Sequence, residues 1–430
     1  MKDQNCALPG ALETVRAIAE GRLTAEAATR ARLDHCAELE DAIGAWVHLD
    51  AEGALATARV LDAGPIRGPL HGVALGVKDI FAVSDLPWRS GSPIWRDRVA
   101  GFDAGSVALA RQAGAVILGK TETTEFAGYK PSRTRNPVVA GATPGGSSSG
   151  SAAAVASGMV PLALGTQTSG SIIRPAAFCG VVGFKPSFDL IETGGVTVFA
   201  RSFDTVGVFA RSVPDAALGV EALTGLELQP VSPALSSLSL FRSPVWDRAT
   251  PVMQTAWATF EDDLVAQAPL AGAPFSDALV AAMAEIPDLH ARVMAIEAAE
   301  ALSHEMAIAP ELLSQGLRDQ ILQGAAQTAG MRHADRQQMI ALRGRAMNET
   351  RPGDIWLSPA TTGVAPPFDS GTGDPIFNRL WSLLGFPCCT VPILRDAAGA
   401  PMGVQVVGRH GDDRAVLSVA HWLMERFHQA

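Results

Sequence analysis

Cysteine is scarce, charge is thin and no long apolar run occurs in this 430-residue chain, and each shortage removes a class of protein. The five cysteines, Cys6, Cys36, Cys179, Cys388 and Cys389, are odd in number and include no CxxC pair, so neither a disulfide framework nor a zinc site is indicated. Reduced thiols in a cytoplasmic protein fit them best. Charged residues make up only 18%, acid outweighs base by 44 to 34, and the formal charge is −10. No basic block is present that could neutralise several phosphates or coat an anionic bilayer, which argues against nucleic acid and membrane surfaces as direct partners. The first residues, MKDQNCALPG, lack a basic stretch followed by an apolar one, and no apolar run reaches membrane-spanning length. The expectation is a protein neither exported through an ordinary leader nor inserted. No internal repeat is visible.

What is present is a large apolar fraction, 47%, enough for a sizeable core and far from the composition of a disordered chain. The length accommodates two or three average domains or one large α/β domain. The most informative stretch is Gly145 to Arg174. It opens with Gly145-Gly146-Ser147-Ser148-Ser149-Gly150-Ser151, crosses a small apolar run from Ala152 to Leu164, read as one buried element, and closes with Gly165-Thr166-Gln167-Thr168-Ser169-Gly170-Ser171-Ile172-Ile173-Arg174. Glycine lets backbone approach a ligand closely, and clustered serines offer nucleophiles and proton carriers.

Around that stretch the pattern alternates. Residues 11–63 are Ala-, Leu- and Glu-rich with helical spacing, which predicts two or three surface helices. Gly72 to Phe81 reads as a buried strand that puts Lys78 at or just past its end. Ser106 to Gly114 reads as a helix, Ala115 to Leu118 as a second strand, and Gly180 to Gly207 as short apolar runs separated by turns. Ser212 to Leu223 looks like a capped helix. Between about 225 and 348 long helical segments dominate, predicting a cap or insertion; strands return at Ile355, Cys388 and Gly403, before a helix from Asp412 to Phe427. Strands bracketing a helical middle favour one discontinuous domain spanning 1–430: α/β, with a mixed twisted sheet covered by helices on both faces.

Several motif matches fail on context. Gly114 to Thr121, GAVILGKT, satisfies the phosphate-loop formula, yet its inner residues are themselves strand residues, so Lys120 and Thr121 are expected simply to end a strand. Gly146-Ser147-Ser148-Ser149-Gly150 matches the nucleophile elbow, but no hydrophobic strand precedes it, and His290, His304, His333, His410, His421 and His428 sit in helical or loop stretches without a telling neighbourhood. Each histidine reads as structural. The apolar flanks of Cys179 raise a thiol pKa rather than lower it, and Cys388 and Cys389 lie in a buried-looking strand. A serine activated by lysine remains, with Lys78 placed where desolvation could lower its pKa.

Taken together, Gly145 to Ser151, Gly165 to Ser171, the Gly76-Val77-Lys78-Asp79 segment and the ending Gly403-Val404-Gln405-Val406-Val407-Gly408 resemble the amidase signature family over nearly the whole chain, most weakly in the helical middle. The spacing of Ser147 and Ser171 matches that of the family's paired serines. The resemblance implies an amidohydrolase that forms an acyl-enzyme, with Ser171 as nucleophile, Ser147 as proton shuttle preceded by a cis peptide bond, and Lys78 as base. Backbone N–H groups of Thr168, Ser169, Gly170 and Ser171 form a continuous turn that could supply an oxyanion hole. Two positions depart from the common pattern: Gln167 stands where many members have Asp, so any anchoring of the loop would use an amide, and Ser169 stands where Gly or Ala is commoner.

The position of Arg174 resembles that of malonamidase-type members, where such an arginine binds a substrate carboxylate, and a guanidinium suits that task; a structural ion pair with a neighbouring acid is the other account of it. The expected partner is therefore a small-molecule amide, with a carboxylate as an optional feature, in a pocket shaped by the helical middle and the loop from Ala360 to Pro375. No cofactor or metal is implied, and a homodimer is left open. Two alternatives stand beside this: the glutaminase subunit of a tRNA-dependent amidotransferase, which implies partner subunits, and a non-catalytic module using the same loops to hold an anion.

Overall fold

A computed structural model describes residues 8–271 and 275–427, so Cys6 and His428 lie outside the described residues. Ten strands form one mixed sheet: β1 (Trp46–Leu49), β2 (Ala74–Lys78), β3 (Val116–Thr121), β4 (Leu162–Gln167), β5 (Val182–Lys185), β6 (Thr205–Ala210), β7 (Leu238–Leu240), β8 (Ile355–Pro359), β9 (Cys388–Arg395) and β10 (Pro401–Gly408), in the order β1-β3-β2-β4-β6-β5-β9-β10-β8-β7. The β2–β3, β2–β4 and β7–β8 pairs are parallel and the others antiparallel. The described residues also form fifteen α-helices, which with the sheet give the single α/β domain expected from the sequence. No helix among the described residues is long and apolar enough to cross a membrane.

The central strands are continuous apolar runs because both of their faces are buried. Side chains alternate across a strand, so Leu75 and Val77 of β2, Ile117 of β3 and Leu162 and Leu164 of β4 enter one core, while Ala74, Val116, Leu118 and Ala163 enter the other. A third core, containing Trp356 and Trp381, packs the helices that follow β7 against β8 and β10.

Three local differences from the sequence expectation have simple causes. The run from Ala152 to Leu164 is two elements, a helix over Ser149–Ala156 and then β4. Gly158, at φ 76°, turns the chain out of the helix, and Pro161 has no N–H with which to continue it. β1 lies hidden among the N-terminal helices (Ala11–Ala19, Ala25–Ile43 and Ala51–Asp62), because four residues at a sheet edge leave almost no periodic signal. The segment after Gly225 carries β7 as well as helices. The phosphate-loop match is strand, as its apolar interior required: β3 runs straight through Gly119, Lys120 and Thr121.

Candidate active site

β2 delivers Lys78 as its last residue, and β4 beside it delivers Thr166 and Gln167. Lys78 is fully buried, and its Nζ lies 2.8 Å from Ser147 Oγ and 2.8 Å from Thr166 Oγ1. Burial pushes the ammonium down from the usual lysine range to about 7, partly opposed by the negative charge of Asp204. Ser147 follows a cis peptide bond from Gly146, and its carbonyl accepts from Thr124 N–H at 3.2 Å.

The neighbouring serines are occupied elsewhere. Ser148, the central serine of the elbow-like match, has no solvent exposure, and its Oγ exchanges hydrogen bonds with the backbone of Thr166 (3.2 and 3.3 Å). Ser151 Oγ binds Leu164 O at 2.9 Å, and Ser149 pairs with Ser132. The contacts of Ser148 and Ser151 lock the first loop onto β4. They also explain why a serine-rich run carries one lysine-linked hydroxyl.

Ser171 sits in the turn between β4 and the helix Ile173–Cys179. Gln167 holds that turn from inside: its Oε1 accepts from Ile172 N–H (2.9 Å) and Ile173 N–H (3.0 Å), and its Nε2 donates to Ser382 Oγ at 3.1 Å. An amide does the anchoring here, as expected from the Gln at this position. At Gly170 a Cβ would meet Asn378 Oδ1 at 2.4 Å, so a larger residue would have to displace the Asn378 amide. Beyond Ser171 the N–H of Arg174 donates to Gly170 O, while the N–H groups of Ser169, Gly170 and Ser171 donate to no atom among the described residues.

Arg174 is buried, with Nη2 bound to Gly146 O (2.6 Å) and Thr372 Oγ1 (3.3 Å). Its Nε and Nη1 have no partner among the described residues, and no carboxylate pairs with it there; the structural ion pair is not formed. Burial lowers its pKa to about 10, which leaves it charged at neutral pH. Ser169, Ser171, Arg174, Tyr129, Phe199 and Met294 line one narrow cavity, with Met294 contributed by the helical middle. A larger surface groove, about 720 Å³, runs between the helix Pro251–Val265 and β9 and carries none of these groups.

Two residues of this neighbourhood escaped the sequence. Asp204, at the start of the turn into β6, accepts from Thr168 Oγ1 (2.5 Å) and from the N–H groups of Phe199 (2.7 Å) and Ala200 (3.0 Å). Burial raises its carboxyl to about 6 despite those donors. His290, in the helix Ile286–Ala301, binds Thr168 O at 3.0 Å, and burial drives its pKa down to about 3. The thiols are remote in character: Cys179, Cys388 and Cys389 are buried, burial raises all three pKa values, and Cys388 reaches about 12.

Comparison with known proteins places the chain among relatives. The family profile described as Amidase matches residues 27–417. The A-type subunit of the glutamyl-tRNA(Gln) amidotransferase from Oleidesulfovibrio alaskensis is 32% identical over 96% of both chains. Its counterpart from Acidothermus cellulolyticus is 44% identical over 227 residues, and that match spans 50% of this chain and 45% of the relative, about half the length of each. Among solved structures, one described as an amidase superposes with a TM-score of 0.87 at 32% identity, covering 97% of this chain and 100% of the other.

Proposed function

The chain belongs to the amidase family, and from that premise we propose that it hydrolyses a small carboxamide through an acyl-enzyme on Ser171, using a Ser-Ser-Lys triad. The observation that carries this reading is Lys78: a fully buried lysine whose pKa falls to about 7, hydrogen-bonded to Ser147. A lysine that is substantially neutral near pH 7 can accept a proton, and in this reading the Ser147 hydroxyl bonded to it relays the proton from the nucleophile.

The steps follow from these positions. Ser171 Oγ attacks the amide carbon; its proton passes to Ser147, whose own proton passes to neutral Lys78. The carbonyl oxygen becomes an oxyanion and takes hydrogen bonds from the turn Thr168 to Ser171, where three N–H groups are without partners among the described residues. The C–N bond breaks as Ser147 protonates the leaving nitrogen and recovers a proton from Lys78. Water then attacks the acyl carbon, delivers a proton by the same route, and releases the carboxylic acid and Ser171.

Arg174 supports a carboxylate on the substrate, because two guanidinium nitrogens in the cavity wall lack partners among the described residues. The names of the curated relatives favour a second reading, a glutaminase subunit working with partner subunits. Glutamine is itself a small amide bearing a carboxylate, so the readings share their chemistry and differ in who receives the ammonia. A panel of small amides, with and without carboxylates and including glutamine, assayed for ammonia release alongside fluorophosphonate labelling, tests the proposal. Labelling at Ser171 with turnover supports hydrolysis; a folded protein that neither labels nor turns over any amide leaves only the anion-binding module. Glutamine turnover that requires a co-purifying protein supports the glutaminase reading.

A further inference from the structure

We propose that the helix Ile286–Ala301 aims the oxyanion-binding N–H groups, with His290 as the positioning residue for the Ser169 N–H and Ser382 as its counterpart for the Gly170 N–H. This rests on reading the turn from Ser169 to Ser171 as the oxyanion site. A trans peptide unit is planar, with its C=O and N–H pointing in opposite directions, so whatever ties down the carbonyl of one residue fixes the direction of the next residue's N–H. Three consecutive carbonyls are tied in this way. Thr168 O is held by His290 Nε2 at 3.0 Å, Ser169 O accepts from Ser382 Oγ at 2.7 Å, and Gly170 O accepts from Arg174 N at 2.9 Å. The N–H groups on the far side of those three peptide planes belong to Ser169, Gly170 and Ser171, and each is without a partner among the described residues.

The chemistry at His290 is specific. A carbonyl only accepts, so Nε2 carries the proton and Nδ1 does not. Nδ1 has no partner among the described residues, and the ring lies against Phe203, with centroids 4.3 Å apart and planes at 18°, which fixes its orientation. Met294 and Glu297 share the same helical face, one and two turns on. Met294 Sδ accepts from Ser169 Oγ (3.4 Å), and Glu297 accepts from Ser202 N–H (2.8 Å) and Ser202 Oγ (2.6 Å). Ser202 belongs to the loop whose Asp204 binds Thr168 Oγ1. One face of one helix therefore grips Thr168 twice, at its carbonyl directly and at its hydroxyl through that loop.

The test compares His290→Leu, which removes the donor, with His290→Gln, whose amide nitrogen can reach the same carbonyl. With the best amide from the panel, His290→Leu should lower kcat about 10- to 100-fold with KM within about threefold, since aiming is lost while the donors remain. It should weaken inhibition by the matching aldehyde, whose hemiacetal with Ser171 needs the same N–H groups, by a similar factor. Binding of the carboxylic acid product should stay as in the parent, and His290→Gln should recover most of both losses. Ser382→Ala, with Ser382→Thr as the conservative partner, should reproduce the pattern and decides the matter independently of whether His290→Leu folds. Parent-like kcat and aldehyde inhibition in folded His290→Leu and Ser382→Ala overturn the proposal, as does an equal loss of product binding without rescue. A parent protein that is active beside unaffected variants sinks this inference alone, whereas a parent that neither labels nor hydrolyses any amide sinks the functional reading beneath it.

Discussion

Lys78 Nζ stands 2.8 Å from Ser147 Oγ, and neither group has more than 2% of its surface exposed. In the proposed mechanism that contact is the first link of a proton relay, and the relay depends on each member. Lys78→Ala, Ser147→Ala and Ser171→Ala should each cut amide turnover by about a thousandfold or more, given the usual yield of general acid–base and nucleophilic groups. Steady-state ammonia release checks this, with circular dichroism confirming the fold. Ser148→Ala, at the centre of the elbow-like match, should retain labelling by a fluorophosphonate.

The pH dependence follows from Lys78 and the charge of Asp204 beside it. The proposed mechanism works through the neutral form of Lys78, so kcat/KM should rise with pH through an apparent pKa of about 7 and not near the 10.5 of free lysine. Asp204 raises the Lys78 value by attraction, and its own carboxyl titrates at about 6, so the limb reports the pair jointly. Asp204→Asn removes that attraction and should move the limb to lower pH; a limb unmoved or shifted upward contradicts the assignment. The stability effect has the matching sign. Because the folded value lies below the unfolded one, the unfolded chain binds the extra proton between about 7 and 10.5, and stability contributed at Lys78 rises with pH across that window. Lys78→Met should accordingly stabilise the protein more at pH 6 than at pH 10, as read by thermal unfolding.

Arg174→Ala should raise KM for carboxylate-bearing amides by about 10- to 100-fold, the worth of one charge-assisted hydrogen-bonded contact, and raise KM for a neutral amide of equal size far less. Because Arg174 also donates to Gly146 O, some loss of kcat common to both substrates is expected. Equal KM effects on the two substrates would remove the carboxylate from the proposed substrate class.

Much of this architecture was legible in sequence, for a physical reason. Strands buried on both faces are uninterrupted apolar runs, so β2, β3, β9 and β10 announce themselves, and Lys78 marks where β2 meets polar surroundings. Ser147 and Ser171 were singled out by the resemblance of the glycine- and serine-rich loops to the amidase signature. His290, Asp204 and Ser382 left no such trace. Each is a single polar residue in an ordinary local context, and its meaning arises only when folding brings it to Thr168, Ser169 or Gln167; Ser382 reaches Gln167 from 215 positions away. Arg174 fell between, since its place was readable but the absence of an acidic partner among the described residues was not.

Gln167 should prove structural in a measurable way. Its side chain satisfies the N–H groups of Ile172 and Ile173, both buried, so Gln167→Leu leaves two donors unpaired at about 1–3 kcal/mol each. Urea unfolding should register a loss of that order, together with lower kcat as the turn carrying Ser171 loosens. An unchanged midpoint would mean that water or a shifted backbone replaces the amide.

The residue next to the base supplies the last case. Asp79 Oδ1 and Lys120 Nζ are 3.0 Å apart with no exposure on either side chain, and Lys120 also donates to Phe81 O (2.7 Å) and Pro87 O (2.6 Å). Burial alone would neutralise both groups, raising the Asp79 pKa and lowering that of Lys120, and their mutual attraction opposes it. The lysine of the phosphate-loop formula is thus committed to joining β2 to β3, so ATP should not shift the melting temperature. Asp79→Ala would strand a buried ammonium and should cost about 3–5 kcal/mol. Asp79→Leu combined with Lys120→Met removes both charges and should recover most of that loss in urea unfolding. Activity should recover in parallel, because what the pair secures is the strand end on which Lys78 stands.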